Sequence, residues 1–123
     1  MKKNHIVIAG ASGFIGKNLI AALKNHPNYQ IRALSRKTHL TNQQQDNIEW
    51  KKCDGFSYEE VLEATRDCDI LIYLIHSMLP TAGLVQGDSE DFDLIMADNF
   101  SRAVKTNNVS HTIYLSGLIP QLP

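Results

Sequence analysis

The segment "IVIAGASGFIGKNLI", Ile6 to Ile20, constrains the fold more than any other part of the chain. Four apolar residues read as a buried strand, and after a patch of glycine and small side chains Ile15, Leu19, Ile20 and Leu23 recur at helical spacing. Between the two stand Gly10, Gly13 and Gly16. Gly10 lets the backbone turn tightly out of the strand, and Gly16 lets the helix pack closely against it. Gly13 leaves the main chain open to an approaching group.

The rest of the chain repeats the alternation. Strands are expected at His5–Ala9, Gln30–Ser35, Ile48–Lys52, Asp69–Ile75 and His111–Leu115. Helices are expected at Phe14–Asn25, with Pro27 beyond its end, at Ser57–Arg66, and at Ser89–Asn107. Ser57 can cap the second helix, and Glu60 three residues on would complete a capping box. The third helix carries Phe92, Ile95, Met96, Asn99, Phe100 and Ala103 on one face. "HLTNQQQDN", His39 to Asn47, reads as a polar loop, and Met78 to Asp88, with Pro80, Gly83 and Gly87, as another. "DILIYLI" is apolar throughout, as in a strand covered on both faces.

Such alternation implies right-handed crossovers and a parallel sheet. The expectation is an α/β, Rossmann-type doubly wound sheet of five strands in order 3-2-1-4-5, with helices on both faces. It forms one domain over residues 1–123. Its ligand crevice lies where the order reverses, outside the carboxyl ends of the strands. The glycines fall at that crevice, where free N–H groups and the helix dipole favour a phosphate. A strand before and a helix after turn the glycine spacing into a nucleotide-binding signal. Pyrophosphate contacts are expected from Gly10, Ser12, Gly13, Phe14, Ile15 and Gly16, with Ile75 and His76 bordering the nicotinamide side.

Composition excludes several alternatives. A formal charge of −1 over 123 residues carries no basic stripe for nucleic acid. No apolar run approaches the roughly 20 residues that span a bilayer. The apolar run after "MKKN" is too short for a signal peptide and reads as a mature N-terminus. A cytoplasmic protein is expected, with Cys53 and Cys68 as reduced thiols. The five histidines show no i, i+4 spacing, so no metal site is expected.

"GASGFIG" after the first strand resembles the short-chain dehydrogenase/reductase superfamily, in the form of its extended and atypical branches. These include nucleoside-diphosphate-sugar epimerases and NmrA-like proteins. The resemblance continues through "IRALSRK", "CDGFSYEEVLEATRDCDILIYLIHSM", "ADNFSRAV" and "TIYLSGL", nearly the whole chain in family order. It implies an NAD(P)-dependent oxidoreductase or epimerase, or a non-enzymatic dinucleotide sensor, with a small-molecule substrate that the sequence does not identify.

The second strand ends in Leu34-Ser35-Arg36-Lys37, where NAD sites of this fold place an acid. Ser35, Arg36 and Lys37 would instead receive a 2′-phosphate, Arg36 with two parallel bonds, so NADP is expected, with NAD the alternative. The resemblance places Asp54 near the adenine amino group; a plain turn former before Gly55 is the other reading. It also places Asn99 as a brace for the fourth strand. The superfamily's Tyr-x-x-x-Lys pair is absent: the residues four places beyond Tyr29, Tyr58, Tyr73 and Tyr114 are Ala33, Leu62, Ser77 and Leu118. His76 and Ser116 remain the only catalytic candidates. The chain reads either as the N-terminal part of a longer protein, which its "LIPQLP" ending favours, or as a short natural domain. Strand five would then be a sheet edge open to self-association, giving a homo-oligomer.

Overall fold

The computed structural model describes residues 3–36, 44–75 and 82–115, with backbone only for Gln44 and for 82–93. The elements run β1 (Asn4–Ala9), α1 (Phe14–Leu23), β2 (Tyr29–Ser35), β3 (Gln44–Gln45), β4 (Ile48–Lys52), α2 (Tyr58–Ala64), β5 (Ile70–Tyr73), α3 (Ala82–Thr106) and β6 (His111–Tyr114). One sheet contains all six strands in the order β3-β4-β2-β1-β5-β6. β4, β2, β1, β5 and β6 pair in parallel and form the expected five-stranded 3-2-1-4-5 arrangement.

Side chains alternate across the strands and split the core into two layers. Ile6, Ile8, Ile31, Ala33, Ile48 and Ile72 face α1, whose Leu19, Ile20 and Leu23 pack on them. Val7, Ala9, Leu34, Leu71 and Tyr73 face the other way, against Val61 and Ala64 of α2 and Phe100 and Ala103 of α3. Helices thus cover both faces, as right-handed crossovers from a central β1 require.

Several boundaries differ from the sequence reading. The polar segment is not all loop: Gln44 and Gln45 pair antiparallel with Glu49 and Ile48, through a turn at Asp46 and Asn47. Asp46 takes φ 56, a left-handed conformation that aspartate tolerates. Asn47 locks that corner. Buried, it donates from Nδ2 to the carbonyls of Leu23, His26 and Tyr29 and accepts at Oδ1 from the Asn25 amide. α1 ends at Leu23, two residues early, because Asn25 leaves the helix at φ 65. α3 begins at Ala82, running through Gly83 and Gly87. A helical glycine costs about 1 kcal/mol against alanine, which a helix of 25 residues absorbs.

The capping box is half formed. Ser57 Oγ accepts from the Glu60 amide at 3.3 Å, but the Glu60 carboxylate accepts from the Asp54 amide instead of Ser57's, which donates to the Asp54 carbonyl. The apolar face of α3 is also only partly turned inward. Asn99, Phe100 and Ala103 are buried, Met96 is half-buried, and Ile95 is exposed. The Phe92 side chain lies outside the described residues.

Candidate functional site

At the carboxyl ends of β1, β2, β4 and β5 lies a cleft of about 970 Å³. It sits where the strand order reverses: β1 pairs on one side with β2 and on the other with β5. Its floor is the turn from β1 into α1.

That turn gives each glycine a separate physical account. Gly10 has φ +86, and a Cβ there would crowd the backbone of Leu74 and Ile75 at 3.1 and 3.2 Å. At Gly16 a Cβ would stand 2.5 Å from the Ala11 carbonyl oxygen, so the helix packs directly on the turn. Gly13 is different. Its φ of −77 and ψ of 177 suit any residue, and a Cβ there would meet only the Gly10 oxygen, at 3.6 Å. Neither backbone strain nor packing calls for glycine at 13. The space beside it opens into the cleft.

Gly13 is also the N-cap of α1, without a side-chain cap, and the first turn holds no acid. The opening amides of a helix have no carbonyl four residues back to bond. They and the dipole make this end of the cleft receptive to an anion.

Of the residues expected at the site, Gly10, Ser12, Gly13, Phe14, Ile15, Gly16, Ser35, Arg36 and Ile75 line the cleft. Ile15, which the sequence places both in the apolar spacing of α1 and at the site, is exposed and lines the cleft. Arg36 is exposed at the end of β2 and forms no ion pair with any described residue. Asp54 does not line the cleft: its Oδ1 accepts from the Phe56 amide at 3.0 Å, the turn-forming role. Lys37, His76, Ser77 and Ser116 lie outside the described residues.

The opposite wall was not legible in advance. Cys53, Gly55 and Phe56 from the end of β4, with Ile95, Met96 and Phe100 from α3, close that side. At the Asp54-Gly55 turn the sequence reading offers Asp54 alone as a site residue, and Ile95 and Met96 read only as helix face. Asn99 has a different partner from the expected strand. Its Nδ2 donates to the Gly55 carbonyl at 2.9 Å, so it braces the turn after β4. None of the four tyrosines lines the cleft. Tyr73 packs against Phe100 and Tyr114, Tyr58 lies under Arg102, and Tyr29 stacks on His26.

Cys53 stands in the wall as a buried thiol. Burial, then the Glu60 and Asp54 carboxylates, push its thiol up to about 12. Cys68 is raised to about 11, chiefly by burial, and its thiol donates to the Ile70 carbonyl. Among the described residues no cluster of His, Cys, Asp or Glu could hold a metal, and no helix is long and apolar enough to cross a membrane.

A sequence model described as NAD(P)H-binding matches residues 10–119, from the first glycine of this turn to beyond β6. The chain belongs to the NAD(P)H-binding family. Among curated proteins it is 35% identical over 117 residues to the auxiliary protein GraX of Staphylococcus aureus, covering 94% of this chain and 37% of GraX. Among solved structures, UDP-N-acetylglucosamine 4-epimerase from Bacillus cereus superposes with a TM-score of 0.72 at 20% identity, over 91% of this chain and 38% of the epimerase. A variant of uronate dehydrogenase from Agrobacterium tumefaciens, complexed with NAD, superposes at 0.71 and 20% identity, over 93% of this chain and 41% of the enzyme. The chain thus spans about two fifths of the length of these relatives. At such identity the structural likeness speaks for the fold alone, which this chain shares with that epimerase and that dehydrogenase.

Proposed function

We propose that this family member binds NADP(H) in preference to NAD(H), with the pyrophosphate over Gly10 to Gly16 and the 2′-phosphate at Ser35 and Arg36. The observation that carries the reading is Gly13: glycine stands where neither backbone strain nor packing calls for it, beside the cleft at the uncapped start of a helix. The cofactor preference rests on Arg36, a cation that no described carboxylate neutralises, at the position where NAD sites hold an acid. Lys37 is proposed as a second cation there, and Ile75 and His76 as the nicotinamide border.

When bound, the nicotinamide supplies hydride exchange with a substrate carbon. The chain's own residues bind and orient it. These 123 residues contain no Tyr-x-x-x-Lys pair to move the accompanying proton. We therefore place the hydride chemistry in an oxidoreductase or epimerase of which this domain is one part, working in the cytoplasm. A second reading, a dinucleotide-responsive protein without turnover, is favoured by the relative named an auxiliary protein.

Titration calorimetry with NADP, NADPH, NAD and NADH tests the binding. The expected result is saturable binding of at least the NADP pair; no heat with any of the four would overturn the reading. NADPH oxidation over a panel of aldehydes, ketones and sugar nucleotides then separates the two alternatives. Turnover abolished by Gly13→Val would refute the reading without catalysis.

A further inference from the structure

The wall of the cleft opposite α1 is held from behind by a clamp of Asn99 and Arg102, which do not line the cleft. Gly55 and Phe56 form part of that wall, on the turn between β4 and α2. The turn's own shape is set internally: Asp54 Oδ1 accepts from the Phe56 amide, and the Asp54 carbonyl accepts from the Ser57 amide. Its position against α3 rests on other contacts. Asn99 Nδ2 donates to the Gly55 carbonyl at 2.9 Å, and one helical turn earlier Met96 lies so close that a Cβ on Gly55 would stand 3.0 Å from its sulfur. Asn99 is 5% exposed. Its orientation is fixed from behind, because Oδ1 accepts from Arg102 Nη2 at 3.2 Å. Arg102 is in turn held by Asp98 Oδ2 at 3.2 Å and lies 4.3 Å from the centre of the Tyr58 ring on α2.

We propose that Asn99, oriented by Arg102, is a positioning residue for the dinucleotide: it holds the Gly55–Phe56 turn at the distance from Arg36 that one half of the ligand requires. The inference rests on the nucleotide reading above. The turn and Arg36 border the same side of the cleft, at the ends of the adjacent strands β4 and β2. The half concerned is therefore the one carrying the 2′-phosphate, the adenosine half. Asn99 reaches it only through Gly55. Without the amide donor the Gly55 carbonyl loses its partner, and the turn keeps its internal bonds while losing its anchor on α3.

The test compares three proteins, each titrated with NADPH and with 2′,5′-ADP, which carries only the adenosine half. Asn99→Asp keeps the side-chain shape and the Arg102 pairing but removes the donor. Asn107→Ala is the control. It stands in the turn just beyond the end of the same helix, away from the cleft, where its Nδ2 donates to the Leu62 carbonyl and Thr65 Oγ1, so its loss weakens the hold of that end of α3 on α2 without touching the Gly55–Phe56 turn. The expected result is about a tenfold loss for Asn99→Asp, the size of one lost hydrogen bond, equal for both ligands. Asn107→Ala should lower the melting temperature and leave both affinities unchanged. Unchanged affinity in Asn99→Asp, a loss for NADPH without one for 2′,5′-ADP, or an equal loss in Asn107→Ala would each overturn the clamp while leaving nucleotide binding intact. Failure of the unmodified chain to bind either ligand would overturn the nucleotide reading and the clamp with it.

Discussion

Gly13→Val and Gly16→Val place the same side chain three residues apart, and the structure demands opposite outcomes. At position 16 the new Cβ would lie 2.5 Å from the Ala11 oxygen and 2.7 Å from two of its carbons. Relief requires α1 to lift off the turn by several tenths of an ångström, breaking its contact with the sheet. Overpacking of this kind costs about 1–3 kcal/mol, a large share of a total near 5–15 kcal/mol. At about 4 °C per kcal/mol for a domain of this size, the melting temperature should fall by roughly 4–12 °C. At position 13 the Cβ meets one oxygen at 3.6 Å, with backbone angles valine adopts freely. The remaining cost is the poorer N-cap, up to about 1 kcal/mol. Yet the valine methyls would fill the space open to a pyrophosphate. Losing even one charge-assisted hydrogen bond costs about 1.5–3 kcal/mol, and displacing the group loses several, so affinity should fall by more than about a hundredfold. Thermal unfolding by circular dichroism and calorimetry with NADPH measure the two effects. If Gly13→Val binds like its parent, or unfolds as readily as Gly16→Val, the assignment of the phosphate to this turn is wrong.

Four further outcomes are expected. Arg36→Asp should weaken NADPH by roughly tenfold to a hundredfold and spare NADH; an unchanged ratio of the two affinities refutes the 2′-phosphate role. Asn47→Ala leaves the Asn25 amide and the Tyr29 carbonyl without their Asn47 partner at the α1–β2–β4 corner, while the Leu23 and His26 carbonyls keep the amides of His26 and Tyr29, so a loss of about 1–3 kcal/mol should appear in urea unfolding, and no measurable loss would contradict that corner's importance. Cys53 and Cys68 keep their protons in the folded state up to about pH 12 and 11, whereas unfolded thiols lose theirs near 9.0; stability should therefore decline as pH rises above about 9, and fall less steeply once both are alanine. β6 ends the sheet among the described residues with Ile113 54% and Tyr114 61% exposed, so light scattering should show self-association growing with concentration, and a monomer throughout would refute it.

What could be foreseen in the sequence tracks which interactions are local. Continuous apolar runs such as "DILIYLI" announce strands, and their alternation with helices restricts the strand order to very few solutions. β3 could not be foreseen, since two glutamines carry no apolar signal and pair only because Asp46 and Asn47 turn the chain back on β4. The start of α3 was obscured by Gly83 and Gly87, whose local preference a long helix overrides. The glycine floor of the cleft was legible because consecutive residues build it. The facing wall was not, because it joins Gly55 and Phe56 to Met96 and Phe100, some forty residues on, and nothing in the sequence pairs them. Asn99 shows the same limit: its position on the helix is readable, its partner is not.

The central position of β1 bears on how this domain comes apart. β1 is hydrogen-bonded to β2, which follows it after a single helix, and to β5, which is more than sixty residues away. The cleft spans that seam, drawing its lining from the ends of β2 and β4 on one side of β1, from the end of β5 on the other, and from α3 beside the β4 turn. A partly opened molecule in which either half has detached retains secondary structure but has no cleft. A nucleotide at a hundred times its dissociation constant adds about 2.7 kcal/mol to the closed state alone. It would suppress sub-global opening along with complete unfolding, so amide exchange in β5 and β6 should slow on binding although neither glycine turn nor Arg36 lies there. The same seam makes folding wait on a distant pairing, whose loop-closure entropy precedes any reward from the completed site.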